Sequence, residues 1–192
     1  MPGDVARPSR RTGSPPSRPI PPHAKLRPMH QLLLLRHAKA AREAPGQPDR
    51  DRPLAPRGAR DAAALGQTMR RLGLTPDLVL VSPAVRTRQT LAALEPWDDT
   101  PLIEPIDPLY LADAATLAAL LAEVPETVRS LLLIAHNPGL HELARRLAAT
   151  STGAPVEARF PTAALAEFAL PGRWDRLAGA RLIRFLPPDA EC

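Results

Sequence analysis

The sequence predicts an α/β fold, a three-layer α/β/α sandwich built on a largely parallel central sheet. Three observations carry this. Apolar runs of strand length alternate with segments of helical periodicity along the chain. Two of the runs, Leu32–Leu35 and Leu131–Ala135, are apolar at every position, as expected of strands covered on both faces. The composition is 44% hydrophobic but only 3% aromatic, which suits an aliphatic core packed between sheet and helices. A length of 192 residues fits one such domain and is tight for two.

Residues 1–28 stand apart. Pro, Ser and Arg dominate them, and eight of them are proline. Such a segment buries too little to offset its ordering entropy, and it reads as a disordered tail. Met29 directly precedes the first strand, so a mis-assigned start is the other reading. Residues 29–192 form the folded domain.

The first strand is Gln31–Leu35. A loop rich in Pro, Arg, Asp and Gly follows over 39–57. Ala62, Leu65, Met69 and Leu72 recur at helical spacing and predict a helix over 59–72, closed by Gly73. Asp77–Val81 is the second strand. Ser82-Pro83 has the form of an N-cap and first-turn proline, opening a helix to about Leu94. Leu102–Ile106 is a third strand and Ala112–Glu123 a helix. Ser130–Ala135 is the next strand. Asn137-Pro138 repeats the cap-plus-proline device before a helix to about Ala149. Residues 151–161 are a loop, and Ala163–Leu170 and Ala180–Leu186 are the last strands. No internal repeat is visible.

The formal charge is +5, and the tail accounts for all of it. Residues 1–28 hold six basic residues and one acid, whereas 29–192 hold 19 of each sign. The folded part is therefore electrostatically balanced, and charge gives no support for a nucleic-acid partner. The single cysteine, Cys192, excludes an intrachain disulfide and fits a reducing compartment. No apolar run approaches the roughly 20 residues that span a bilayer, and no secretory signal pattern is present. The expectation is a cytoplasmic protein without a membrane partner.

Three strands end in polar side chains: Arg36-His37, Ser82 leading to Arg86, and His136-Asn137. In an open α/β sheet, ligands sit outside the carboxyl ends of the strands. If these strands are neighbours, two histidines and two arginines converge there. Arg36 and Arg86 offer planar donor forks that match phosphate oxygens. Helix N-termini expected at Ser82 and Asn137 add partial positive charge at the same rim. A histidine in that field is biased toward its neutral form, whose free lone pair can attack phosphorus.

Blander alternatives compete. A single histidine after a strand is usually structural, and the pairing of His37 with Arg36 and with the His136 strand end argues against that here. His37, His136 and His141 could supply three imidazoles to a metal. His136 and His141 are five residues apart and do not share a helix face, so no metal and no other cofactor is expected. His23 and His30 read as incidental, and Arg88 as a solvated helix residue.

The motifs now carry a family resemblance. LLLLRHAKA at 32–40, DRPLAPRG at 51–58, SPAVRTRQT at 82–90 and AHNPGL at 135–140 occur in an order that resembles the histidine phosphatase superfamily. They are most similar to its small bacterial SixA-like phosphohistidine phosphatases. The resemblance spans 29–187. It implies a phosphoglycerate-mutase-like sandwich and a hydrolase that forms a phosphohistidine on His37. It implies that Arg36 and Arg86 hold the phosphoryl oxygens and that His136 donates a further hydrogen bond.

Two positions depart from the family pattern. Ala38 stands where the signature usually has Gly. The larger relatives carry a Glu general acid in a stretch that here reads IDPLYLADAA, and Leu111 falls near its place. Asp107, Asp113 and Glu104 are the nearby candidates, with Asp107 preferred because it lies closer to the end of the strand. An alkoxide leaving group needs a proton, whereas the imidazole of a phosphohistidine can already carry one. The expected substrate therefore has a P–N bond. Residues 29–192 leave no room for a large cap over the site, so a phosphorylated protein, such as a histidine-phosphotransfer domain, is expected. A small phosphate ester and a non-catalytic phosphate-binding module are the alternatives.

Overall fold

A computed structural model of the chain describes residues 29–149 and 159–188. The expected tail, residues 151–158 of the expected loop, and Cys192 lie outside the described residues.

Six strands form one sheet in the order β3-β2-β4-β1-β5-β6. They are β1 (His30–Arg36), β2 (Leu78–Val81), β3 (Leu102–Pro105), β4 (Ser130–Ala135), β5 (Leu165–Leu170) and β6 (Arg181–Leu186). The first four are mutually parallel, with β1 beside β4 and β2 between β4 and β3. β5 runs antiparallel to β1, and β6 antiparallel to β5. The sheet is thus mixed, with the parallel part carrying β1 and β4 at its heart. The short connection from Leu170 to Arg181 allows only the antiparallel arrangement, because a parallel return needs a crossover of a dozen residues or more.

Side chains alternate across the strands, which explains why the Leu32–Leu35 stretch of β1 and the Leu131–Ala135 stretch of β4 are apolar at every position. Leu33 and Leu35 join Val79, Val81, Leu132 and Ile134 on one face. There they meet Leu65 and Met69 of α1 (Pro56–Arg71) and Leu91 and Leu94 of α2 (Val85–Leu94). Leu32 and Leu34 join Leu78, Leu80, Leu131 and Leu133 on the other face. There they meet Leu117 and Leu121 of α3 (Ala114–Ala122) and Leu140 and Leu143 of α4 (Gly139–Ala149). All four leucines of β1 are fully buried, each contributing on the order of 2 kcal/mol through burial. Helices on both faces complete the three layers.

The helix starts differ from expectation in an informative way. α1 begins three residues early, because Pro56 fits its first position. α2 begins at Val85, and Ser82 is not its cap. The Ser82 hydroxyl is instead bonded to His136 Nε2 at 2.8 Å. Asn137 likewise spends its amide on the carbonyl of Phe160 at 3.0 Å. A genuine side-chain cap is Asp113, which accepts the backbone N–H of Thr116 at 2.8 Å. Gly139, the first residue of α4, permits a close approach. A Cβ there would collide with the backbone of Ala112 and Asp113, so glycine lets α4 press against the segment that carries Tyr110 and Leu111.

Candidate active site

The parallel pairing of β1 and β4 aligns Arg36 with Ala135. One residue further, His37 and His136 leave adjacent strands side by side, with ring centroids 5.0 Å apart. Around them lies an open cavity of about 360 Å³, lined by Arg36, His37, Lys39, Asp49, Arg52, Arg86, Leu111, His136, Asn137 and Thr162 among others. The four residues expected to carry the chemistry, Arg36, His37, Arg86 and His136, all line this one cavity.

His37 Nδ1 lies 2.8 Å from the carbonyl oxygen of Ala38. A carbonyl only accepts, so the proton sits on Nδ1 and Nε2 keeps its lone pair. Burial, with the nearby charges of Arg86, Arg36 and Arg52, pushes His37 down from 6.5 to about 4, against a smaller upward pull from the Ala38 bond. The ring is neutral at neutral pH. The buried Ala38 contributes a further link, its N–H reaching Thr90 Oγ1 at 3.0 Å, while Thr90 donates to the carbonyl of Arg86 at 2.7 Å. The residue after the histidine is thereby tied to the helix that carries the arginine.

His136 is almost fully buried. Burial first, then His37 and Arg86, lowers it to about 3. Its Nε2 faces the Ser82 hydroxyl and its Nδ1 lies 3.4 Å from Arg86 Nη2. Arg86 only donates, so Nδ1 accepts and the ring proton sits on Nε2, which donates to the Ser82 hydroxyl. A hydroxyl can also donate, so Ser82 can match the other tautomer when Arg86 turns to a ligand.

Arg86 is 3% exposed. Its Nη1 donates to the main-chain carbonyl of Asp49 at 2.6 Å, and its Nη2 to Asp49 Oδ2 at 2.9 Å. Arg36 Nη1 donates to the carbonyl of Phe160 at 2.8 Å. Arg36 Nε is buried without a hydrogen-bond partner among the described residues, an uncompensated donor of the kind an anion site supplies.

The candidate acids fall outside the cavity. Asp107 is exposed and pairs with Arg50 Nη2 at 2.7 Å. Its strand ends at Pro105, and the 3-10 turn at Asp107–Leu109 carries the carboxylate outward to the loop. Asp113 is occupied as the cap of α3, and its bonds to Thr116 hold it below the usual carboxylate range. Glu104 is exposed on the edge strand β3. Leu111 does line the cavity, half-exposed and with φ of 51°, an uncommon conformation for a branched apolar residue.

Sequence reasoning did not single out Asp49, Arg52 or Tyr110. Arg52 lies inside the quoted DRPLAPRG block, which was the available signal. Tyr110 donates its hydroxyl to Asp49 Oδ2 at 2.7 Å, and Arg52 Nη1 donates to Oδ1 at 2.7 Å. With Tyr110 contributing most, then Arg52 and Arg86, the Asp49 carboxyl is held well below the usual carboxylate range.

His141 lies against Phe160, with ring centroids 6.0 Å apart. Among the described residues, no group of three or more His, Cys, Asp or Glu is arranged to hold a metal. His30 is structural, buried against Trp174 and bonded to the carbonyl of Gly172 at 2.8 Å. No described helix is long and apolar enough to cross a membrane.

The two neutral histidines couple folding to pH. In the unfolded chain each titrates near 6.5. Below that pH the unfolded state binds protons that the folded site excludes, so stability falls as pH drops from 6.5 toward the folded values of about 4 and about 3. The slope is at most about 1.4 kcal/mol per pH unit per histidine. Urea unfolding of the wild type and His37→Gln at pH 7, 6 and 5 checks this. The variant is expected to show the shallower decline, and equal slopes would contradict a neutral buried His37.

Residues 32–105 match the model of the histidine phosphatase superfamily (branch 1). An uncharacterised protein of Mycobacterium tuberculosis is 39% identical over 145 residues, covering 73% of this chain and 89% of that one. A solved structure from Agrobacterium tumefaciens, named for the phosphohistidine phosphatase SixA, is 34% identical with a TM-score of 0.71, covering 83% of this chain and 98% of its own. The protein histidine phosphatase SixA complexed with tungstate is 27% identical with a TM-score of 0.68, covering 82% and 97%.

Proposed function

Since the chain belongs to the histidine phosphatase superfamily, in its SixA-like branch, we propose that it hydrolyses phosphohistidine on a protein, through a covalent phosphoryl group on His37. The observation that carries this choice of substrate concerns the leaving-group side. Among the described residues lining the cavity, the one carboxylate is Asp49, and it is held ionised by Tyr110, Arg52 and Arg86. An ionised carboxylate has no proton to give to an alkoxide. Leu111 at the cavity wall has none either.

His37 Nε2 attacks phosphorus. The new N–P bond forms as the bond from phosphorus to the substrate imidazole breaks. That imidazole, protonated on its distal nitrogen, leaves neutral. The Nδ1–H bond to the Ala38 carbonyl orients the His37 ring and steadies the positive charge that phosphorylation places on it. Arg36 and Arg86 hold the equatorial oxygens, where fixed charge lowers the barrier most. In the free site Nδ1 of His136 accepts from Arg86 Nη2. When a phosphoryl group takes over that Arg86 donor, Ser82 donates to Nε2, and the tautomer with its proton on Nδ1 can meet a phosphoryl oxygen. Water then attacks phosphorus, the N–P bond to His37 breaks, the water proton passes to phosphate, and His37 returns neutral.

The open cavity suits a side chain presented by another protein. Parallel turnover assays test the substrate class, using a phosphohistidine protein, free phosphoramidate and monoesters with poor leaving groups. The expected result is a kcat/KM at least a hundredfold higher for the phosphohistidine protein than for the monoesters. The reverse ranking would assign the site to small phosphate esters. Binding of phosphate without turnover of any substrate would make it a binding module.

A further inference from the structure

An acid in an anion site works against its ligand, so the presence of Asp49 calls for a compensating role. Its carboxylate lies among cationic groups that would otherwise face a phosphoryl dianion. Every contact it makes is directed. Oδ1 accepts from Arg52 Nη1 at 2.7 Å, and Oδ2 accepts from Tyr110 at 2.7 Å and from Arg86 Nη2 at 2.9 Å. Its own main-chain carbonyl accepts from Arg86 Nη1 at 2.6 Å. One residue therefore grips Arg86 at two points, through side chain and backbone together.

These bonds join segments distant in sequence. Asp49 sits in the 3-10 turn at Asp49–Asp51, Arg86 in the first turn of α2, and Tyr110 just after the turn at Asp107–Leu109. Arg52 is pinned in turn, because its Nε and Nη2 donate to the carbonyl of Ala41 at 3.2 and 2.9 Å. The Tyr110 ring also stands edge-on to His136, at 5.6 Å between centroids. An arginine side chain left to itself samples many rotamers, and each rotamer frozen in advance is entropy that phosphoryl transfer need not supply.

From this geometry we infer that Asp49 is a positioning residue, which fixes the Arg86 fork for the phosphoryl group with Tyr110 as its brace. The role rests on the phosphatase reading above. It differs from a purely architectural one, because it acts through Arg86.

A double-mutant cycle on the full chain separates the two. The variants are Asp49→Asn, Arg86→Met and the pair, read by kcat/KM on a phosphohistidine protein and by binding of orthovanadate. Vanadate mimics the transferring group, so it reports transition-state geometry without depending on the leaving group. Asp49→Asn in the otherwise wild-type chain is expected to lower kcat/KM tenfold or more and to weaken vanadate binding by a similar factor. In the Arg86→Met background the same change is expected to cost less than threefold on both readouts. An equal loss in both backgrounds would make Asp49 architectural and overturn the proposal, as would undiminished activity in the single variant. Tyr110→Phe gives a second cycle that removes only the brace, and it decides the matter if Asp49→Asn does not fold. Its loss is expected to be smaller, and likewise to vanish with Arg86→Met. Persistence of that loss in the Arg86→Met background would also count against the role. A wild-type chain that neither turns over nor binds vanadate would refute the phosphatase reading and this inference together, whereas additive cycles in an active enzyme would refute this inference alone.

Discussion

His37→Ala is expected to fold normally and to lose turnover by about 10⁴-fold or more, the scale seen when a covalent nucleophile is removed while the rest of a site remains. Three facts set the size of the effect. The His37 ring is kept neutral, at about 4, by burial and by Arg86, Arg36 and Arg52. Its Nδ1 is committed to the Ala38 carbonyl, which leaves Nε2 as the attacking atom. No other neutral nucleophile among the residues lining the cavity has the same freedom, because His136 is bonded at Nε2 to Ser82 and faces Arg86 with Nδ1. Rapid quench of the wild type with phosphorylated substrate should trap an acid-labile, base-stable phosphate on His37, and the variant should trap none. The arginines survive the substitution, so vanadate or phosphate should still bind, more weakly. Wild-type rates in His37→Ala would remove the nucleophile from His37.

The same residues show what the chain makes legible. His37 and His136 could be paired from sequence because each follows an apolar strand, and parallel neighbours deliver their next residues to one rim. The register of Arg36 against Ala135 realises that rule residue by residue. Arg86 was found through its motif. Ser82 was misread, since Ser-Pro before a helical stretch has the local form of a cap, yet a buried hydroxyl 2.8 Å from His136 serves a partner 54 residues away. Local propensity gave way to a tertiary contact. Asp49 escaped for a related reason. It lies in a loop with no periodicity, and its value comes from Arg86 and Tyr110, 37 and 61 residues on. Asp107 was favoured from its place near a strand end. The turn that follows the strand swings it out to Arg50, a geometry that no periodicity encodes. The fold's layers were readable throughout, and the antiparallel β5–β6 hairpin follows from a connection too short to cross over.

Arg86→Lys is expected to cost about a hundredfold or more in kcat, the scale for losing one fixed transition-state donor, roughly 3 kcal/mol. Charge is nominally conserved, so the loss isolates geometry. In the wild type, Nη1 and Nη2 hold the carbonyl oxygen and Oδ2 of Asp49 at 2.6 and 2.9 Å, and Nη2 also meets His136 Nδ1 at 3.4 Å, which fixes the fork at the cavity wall. A lysine offers three donors from a single atom. It cannot span both Asp49 oxygens and the substrate together. Burial adds to the loss, because the position is 3% exposed and a compact ammonium is harder to desolvate than a guanidinium. Arg88→Lys supplies the control from the same helix, at an exposed position outside the cavity, and is expected to stay within about twofold of the wild type, as surface changes usually do. Thermal melting of both variants distinguishes lost chemistry from lost folding. A change below twofold in both kcat and KM for Arg86→Lys would mean that the guanidinium fork does not hold the transferring group, and would leave Arg36, whose Nε has no partner among the described residues, to carry the anion instead.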